Sequence, residues 1–163
     1  MNKKILLSVI IIVILLVIIG AVLFFNRTSE DIQIDIEELG TKIVESGAFE
    51  DELAKVDSSM IMQDYSFSAD EIKEIVSYQG SGATSEEIVI LQVNVKEQLN
   101  SVKEKINTRI EERKQAFENY LPEEVFKIDN NLLETKGNYV IFCISNDSNK
   151  VEEVINNYIK GRG

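Results

Sequence analysis

Ile5 to Phe25 is an uncharged run of 21 residues in which Ser8 is the only polar side chain. As an α-helix rising ~1.5 Å per residue it would be ~31 Å long, which matches a hydrocarbon core of ~30 Å. The rival reading is a cleavable signal peptide, whose apolar region should be roughly 7 to 15 residues and should finish in small residues. This run ends Leu23-Phe24-Phe25-Asn26-Arg27, so an uncleaved anchor over 5–25 is predicted, with the lipid bilayer as its partner. Lipid attachment would need a cysteine just behind the run, and the only one is Cys143. Lys3, Lys4 and the amino terminus precede the span and only Arg27 follows it closely, which predicts a cytoplasmic amino end. Residues 1–25 are then a cytoplasmic tip and anchor, 26–33 a juxtamembrane linker, and 34–163 one domain on the outer face of a cell membrane.

The charge of residues 26–163, all placed on the outer face, narrows the partners. The chain has 17 Lys and Arg against 28 Asp and Glu. Lys3 and Lys4 lie before the span, so 15 cations remain against 28 acids, a net charge of −13. Such a surface repels nucleic acid and anionic headgroups, so no nucleic-acid partner is expected. The catalytic inventory is thin as well. With no His and a single Cys there is no imidazole base and no internal disulfide. Cys143 sits in an apolar segment and reads as a buried thiol. The acids do not form a D-x-D-x-D-G loop, so no metal site and no cofactor are expected. Gly80-Ser81-Gly82 is the only glycine-rich loop, and it is placed between two strand-like segments rather than before a helix, where a phosphate loop would sit.

The periodicities along the domain change in order. Asp35 and Glu38 have capping-box spacing, Ile36, Leu39, Ile43 and Val44 share a helical face, and Gly47 ends the pattern, which predicts a helix. Phe49, Leu53 and Val56 continue a helical spacing weakly, and Ser58 to Tyr65 reads as a short helical segment. Glu74 to Gln79, the Gly80–Ser85 turn and Glu87 to Val93 read as a hairpin whose second strand is apolar on both faces. From an Asn94 cap, Val95, Leu99, Val102, Ile106, Ile110 and Phe117 predict a helix of about 25 residues stopped by Pro122. Asn131 to Thr135, a Lys136-Gly137-Asn138 turn and Tyr139 to Ser145 repeat the hairpin signal, and behind the cap candidates Asn146, Asp147 and Ser148 the residues Val151, Val154, Ile155, Tyr158 and Ile159 make the last amphipathic helix. Residues 74–119 and 131–160 thus both read β-β-α, by internal duplication or by chance. The expected fold is α+β: an α-ββα-ββα order giving a four-stranded, mainly antiparallel sheet with helices on one face.

Ser85-Glu86-Glu87-Ile88-Val89-Ile90, Arg109-Ile110-Glu111-Glu112-Arg113, Phe117-Glu118-Asn119-Tyr120-Leu121-Pro122 and Gly137-Asn138-Tyr139-Val140 together resemble the bacterial domain of unknown function numbered four-three-five-eight. The resemblance covers roughly residues 34 to 160. It implies a Gram-positive extracytoplasmic domain, carried by lipoproteins or single-span surface proteins, with no assigned activity and no catalytic residues to transfer. This chain departs from the lipoprotein members because no cysteine follows its apolar segment.

Two arginines argue with their positions. Stepping ~100° per residue along the long helix puts Arg113 at the centre of the apolar stripe and Arg109 near its edge. Both could snorkel to water, pair with an internal carboxylate, or wait for an anion or a partner's carboxylate. They are the only candidate ligand-binding residues. The expected function is a membrane-anchored extracytoplasmic binding or interaction domain, not an enzyme, with an unknown protein or cell-envelope partner. The alternative is a surface enzyme built on converging carboxylates, which needs pairs such as Glu86-Glu87 to meet other acids and the arginines in the fold.

Overall fold

The computed structural model of the protein describes residues 12–13 and 32–162. The predicted anchor lies outside the described residues except for Ile12 and Val13, which are helical. Among the described residues no helix is long and apolar enough to cross a membrane. The chain divides into two compact units, 1–31 and 32–163, and the second carries the fold described here.

Its elements run α1 (Ile36–Val44), β1 (Ala54–Lys55), α2 (Ser58–Asp64), β2 (Ile72–Gln79), β3 (Glu87–Val93), a 3-10 turn (Lys96–Gln98), α3 (Leu99–Glu118), α4 (Pro122–Asp129), β4 (Leu132–Lys136), β5 (Tyr139–Ile144) and α5 (Ser148–Lys160). The class is α+β, and the sheet has five antiparallel strands in the order β1-β2-β3-β5-β4. β3 and β5 lie side by side at its centre, with Ile90 opposite Ile141. Every residue of both strands is buried.

Alternation along these two strands divides the core in two. Ile88, Ile90, Tyr139, Ile141 and Cys143 point to one face, where α1 adds Ile36, Leu39 and Ile43 and α5 adds Val151, Ile155 and Tyr158. Val89, Leu91, Val93, Val140, Phe142 and Ile144 point to the other, against Ile61 of α2, Val102, Ile106 and Ile110 of α3, and Ile128 of α4. Gly40 sits inside α1 despite its poor helix propensity because a Cβ there would come within 2.7 Å of the Tyr78 ring. That absence lets α1 press close to β2.

Helices therefore cover both faces, not one, and the strands number five, not four. The one-face expectation fails because strands apolar on both sides need a layer on each. It also bears on how the two β-β-α units are related. A repeated β-β-α unit would relate the two hairpins by a two-fold axis perpendicular to the sheet, which keeps both helices on the same face. α3 and α5 lie on opposite faces, so the two units have opposite hand and are not superposed by that axis. The extra strand, β1, has two exposed residues and no apolar alternation to betray it. It occupies the stretch that the weak spacing of Phe49, Leu53 and Val56 assigned to a helix, and the Val56 amide extends its pairing by donating to the Ser77 carbonyl at 3.0 Å.

The long helix also differs from its expected form. Asn94 does not cap it; its side chain donates to the Asp70 carbonyl at 2.8 Å, and a 3-10 turn precedes α3. Pro122 stops one helix and starts another, since at the first position of α4 its missing N–H costs nothing. Asp35 caps α1 as expected, accepting from the Glu38 amide at 3.0 Å, and of the candidates Asn146, Asp147 and Ser148 it is Asp147 that caps α5, accepting from the Lys150 amide at 3.2 Å.

A fragment beginning at Ile32 is expected to unfold in a single cooperative urea transition, because both core layers lie within it. Ile155 is fully buried, so Ile155→Asp should lower its unfolding free energy by roughly 4 kcal/mol or more.

Candidate functional site

Ser85, Glu86 and Glu87 enter β3 from the Gly80–Ser85 turn and are all buried, with at most 1% exposure. Two adjacent buried glutamates need compensation, because desolvating a carboxylate costs several kcal/mol. Alternation sends them opposite ways. Glu86 accepts from the Glu50 amide at 2.9 Å and the Asp51 amide at 2.9 Å, and from Lys127 Nζ at 3.2 Å. Glu87 Oε1 accepts from the Tyr65 hydroxyl and from Gln79 Nε2, each at 2.8 Å, while its Oε2 lies 3.5 Å from Arg113 Nε.

α4 supplies the centre of this cluster. Glu124 and Lys127 are one turn apart on its buried face. Glu124 Oε2 accepts from the Ser85 amide at 2.7 Å and hydroxyl at 2.9 Å, and its Oε1 lies 3.1 Å from Lys127 Nζ. Lys127 Nζ also reaches Glu50 Oε2 at 2.9 Å. Burial disfavours the charged ammonium, but Glu50, Glu124 and Glu86 outweigh it and raise the Lys127 pKa. Burial likewise pushes the Glu124 carboxyl up, and the Ser85 amide with Lys127 brings it below the usual carboxylate range. Three buried acids thus meet two cations, Lys127 and Arg113, and backbone amides carry the excess. Together they pin α4, the 50–51 segment and α3 to one end of the sheet.

The two candidate arginines have separate surroundings. Arg113 donates to the Ser85 carbonyl at 3.0 Å, faces Glu87 and lies over the Phe117 ring at 5.5 Å. Arg109 is 3.7 Å from both Asp64 and Glu112, with its guanidinium 6.0 Å from the Tyr65 ring centre. The pair Glu86-Glu87 does meet further charged groups, through Glu124, Lys127 and Arg113. The sequence pattern does not single out Lys127 and Glu124, because Pro122 reads as the end of a helix. The Glu124, Lys127, Ile128 spacing just behind that proline is the signal that would have found them.

The remaining candidates have structural surroundings. Gly80-Ser81-Gly82 joins β2 to β3, and Asp51 holds it by accepting from the Ser81 amide at 2.7 Å and hydroxyl at 2.8 Å. Cys143 is fully buried, and burial pushes its thiol pKa up. Among the described residues no three His, Cys, Asp or Glu side chains are placed to hold a metal ion. A second polar centre joins the start of β2 to α3. Glu71 accepts from the Ser68 amide at 3.0 Å, the Ser101 hydroxyl at 2.9 Å and Lys105 Nζ at 2.5 Å. Burial raises its carboxyl, but Lys105, Ser68 and Ser101 together hold it at about 2.

An antiparallel sheet between two helical layers, closed at one end by internal ion pairs, defines a small α+β domain whose polar cluster is turned inward. The chain belongs to the family described as domain of unknown function DUF4358, which matches residues 45–145. That match is narrower than 34 to 160: it begins behind α1, stops before α5 and contains the whole charge cluster. No curated protein and no solved structure matches the chain.

Lys127→Met should lower stability at neutral pH by roughly 3 to 5 kcal/mol, by leaving Glu86 and Glu124 without their shared cation, and Arg113→Ala should cost roughly 3 kcal/mol. The deficit of Lys127→Met should shrink on acidification, because the parent loses the contribution of its lowered Glu124 pKa while the variant, without the lysine, has less of that contribution to lose. Urea titrations at neutral and acid pH read both effects. Glu71 gives a separate signature. Its stabilising contribution is complete above its ordinary 4.5 and disappears as pH falls to about 2, so Glu71→Gln should flatten the stability profile across that window.

Proposed function

We propose that the protein is a single-span membrane protein presenting its α+β domain on the outer face of the cell, where it binds a protein or cell-envelope partner and catalyses no reaction. The observation that carries the location is the uncharged run Ile5–Phe25 with Lys3 and Lys4 before it. The interaction role is supported by the use made of the acids: Glu86, Glu87 and Glu124 are withdrawn from solvent and engaged by amides, hydroxyls and internal cations. A group that is to act on a substrate must reach it. The acidity of residues 26–163 favours a partner other than nucleic acid.

The carboxylate enzyme remains the second reading, and the meeting of Glu86, Glu87 and Glu124 with Arg113 and Lys127 is what favours it. Against it, Glu87 is fully buried and already carries Tyr65, Gln79 and Arg113 as neighbours.

Topology is the first test. A cysteine introduced by Ser29→Cys should react with a membrane-impermeant maleimide on intact cells. Cys143 gives no background there, since it is buried and its raised pKa disfavours the thiolate. Labelling only after lysis would reverse the orientation, and a mature amino terminus near Asn26 would show that the run is removed.

A further inference from the structure

The large apolar side chains of the described domain are mostly buried, and the corner where α3 gives way to α4 is the main departure. Tyr120 is 73% exposed and Phe126 71%, the highest values among the described large hydrophobics. The corner is a built turn: the Tyr120 and Leu121 amides both donate to the Phe117 carbonyl, at 3.0 and 2.8 Å, and Pro122 then opens α4. Neither Tyr120 nor Phe126 belongs to either core layer. Tyr120 is held in water by this turn and Phe126 by the α4 helix that follows it, and exposed rings on built structure are the kind of surface that marks an interface.

Charge says what would cover them. Glu118 and Glu123 flank the turn and are exposed, and among the described residues neither pairs with a cation. The cations of the same stretch are engaged elsewhere: Lys114 with Asp129 at 2.6 Å, Lys127 with Glu50, Glu86 and Glu124, and Arg113 with Glu87. Glu118 feels Lys114 one turn back without bonding to it, so the corner offers aromatic faces beside acids that make no direct ion pair among the described residues. Its complement is a surface that brings Lys or Arg together with apolar side chains, the cations serving both the acids and the rings. A second copy is a poor complement, since the chain carries a net charge of −11, and an anionic membrane surface is repelled for the same reason.

We propose that the α3–α4 corner, centred on Tyr120 and Phe126 and flanked by Glu118 and Glu123, docks a basic amphipathic segment of a protein partner. The inference rests on the reading of the chain as an interaction module and specifies the surface that does the interacting.

The full chain in lipid nanodiscs can be titrated with a labelled amphipathic Lys/Leu peptide, with empty nanodiscs as the blank. Saturable binding is expected, weakened about tenfold or more in Tyr120→Ala/Phe126→Ala and in Glu118→Lys/Glu123→Lys, and absent for a Glu/Leu peptide. The melting temperature of the Ala pair should match the parent, because both rings are exposed. The α5 pair Glu152→Lys/Glu153→Lys should leave binding unchanged; equal weakening by that pair would show general acidity at work and overturn the proposal, as would undiminished binding to the corner variants.

In intact cells, a benzophenone amino acid replacing Tyr120 should yield adducts whose sequenced peptides combine Lys or Arg with apolar residues of another protein. Adducts with lipid or with this chain itself would overturn the proposal. Capture of a protein by the same probe at exposed Met60, but not at Tyr120, would sink the corner while the interaction reading survived. Capture at neither position would overturn both.

Discussion

Two adjacent strands that are apolar on both sides constrain everything else in this domain. β3 and β5 share the middle of the sheet, and neither presents a face that water could cover. One helical layer would leave Val89, Leu91, Val140 and Phe142 exposed; the opposite layer alone would leave Ile88, Ile90, Ile141 and Cys143. Each such side chain is worth ~1.5 to 3 kcal/mol when withdrawn from water, so a layer on each face is required. The placement of α1 and α5 on one side and α2, α3 and α4 on the other follows from that need.

The ends of the same strands create the opposite problem. A strand entering at Ser85 carries two acids into a region sealed by α4, the 50–51 segment and α3. Apolar residues of the same volume are often as stable as such a network or more so. What the ion pairs add here is placement: α4 has Ile128 as its fully buried apolar anchor, and the contacts of Glu124 and Lys127 fix how that short helix sits against the sheet. Ser85 illustrates the economy of the arrangement, since its amide and hydroxyl serve Glu124 while its carbonyl serves Arg113.

Legibility in the sequence tracked the length and regularity of each pattern. The hairpins around 80–86 and 136–138, the capped helix at Asp35 and the helix behind Asp147 carried unambiguous periodicity, turn or cap signals. β1 did not, because a two-residue exposed strand owes its existence to the edge of β2 rather than to its own side chains. α4 hid behind a proline whose meaning depends on whether a new helix follows. The position of Arg113 on the apolar stripe was visible in advance, but its neighbours were not. Glu87 and Ser85 come to it from some 26 to 28 positions earlier in the chain, and sequence spacing holds no record of a contact made by folding.

A sheet that is sealed above and below still has two rims, and theirs differ from its centre in composition. On one side the terminal strand is two residues long, exposed, and carries Lys55 bonded to Glu37 at 2.6 Å. On the other, β4 carries Glu134 and Lys136, paired at 2.9 Å. Brevity and charge at the rim are the features by which β proteins resist having a stranger's strand zipped onto them. The sheet is thereby poorly suited to growing by strand addition, whether into a peptide complex or into an aggregate. Whatever this domain meets is left to meet it through its helices and turns.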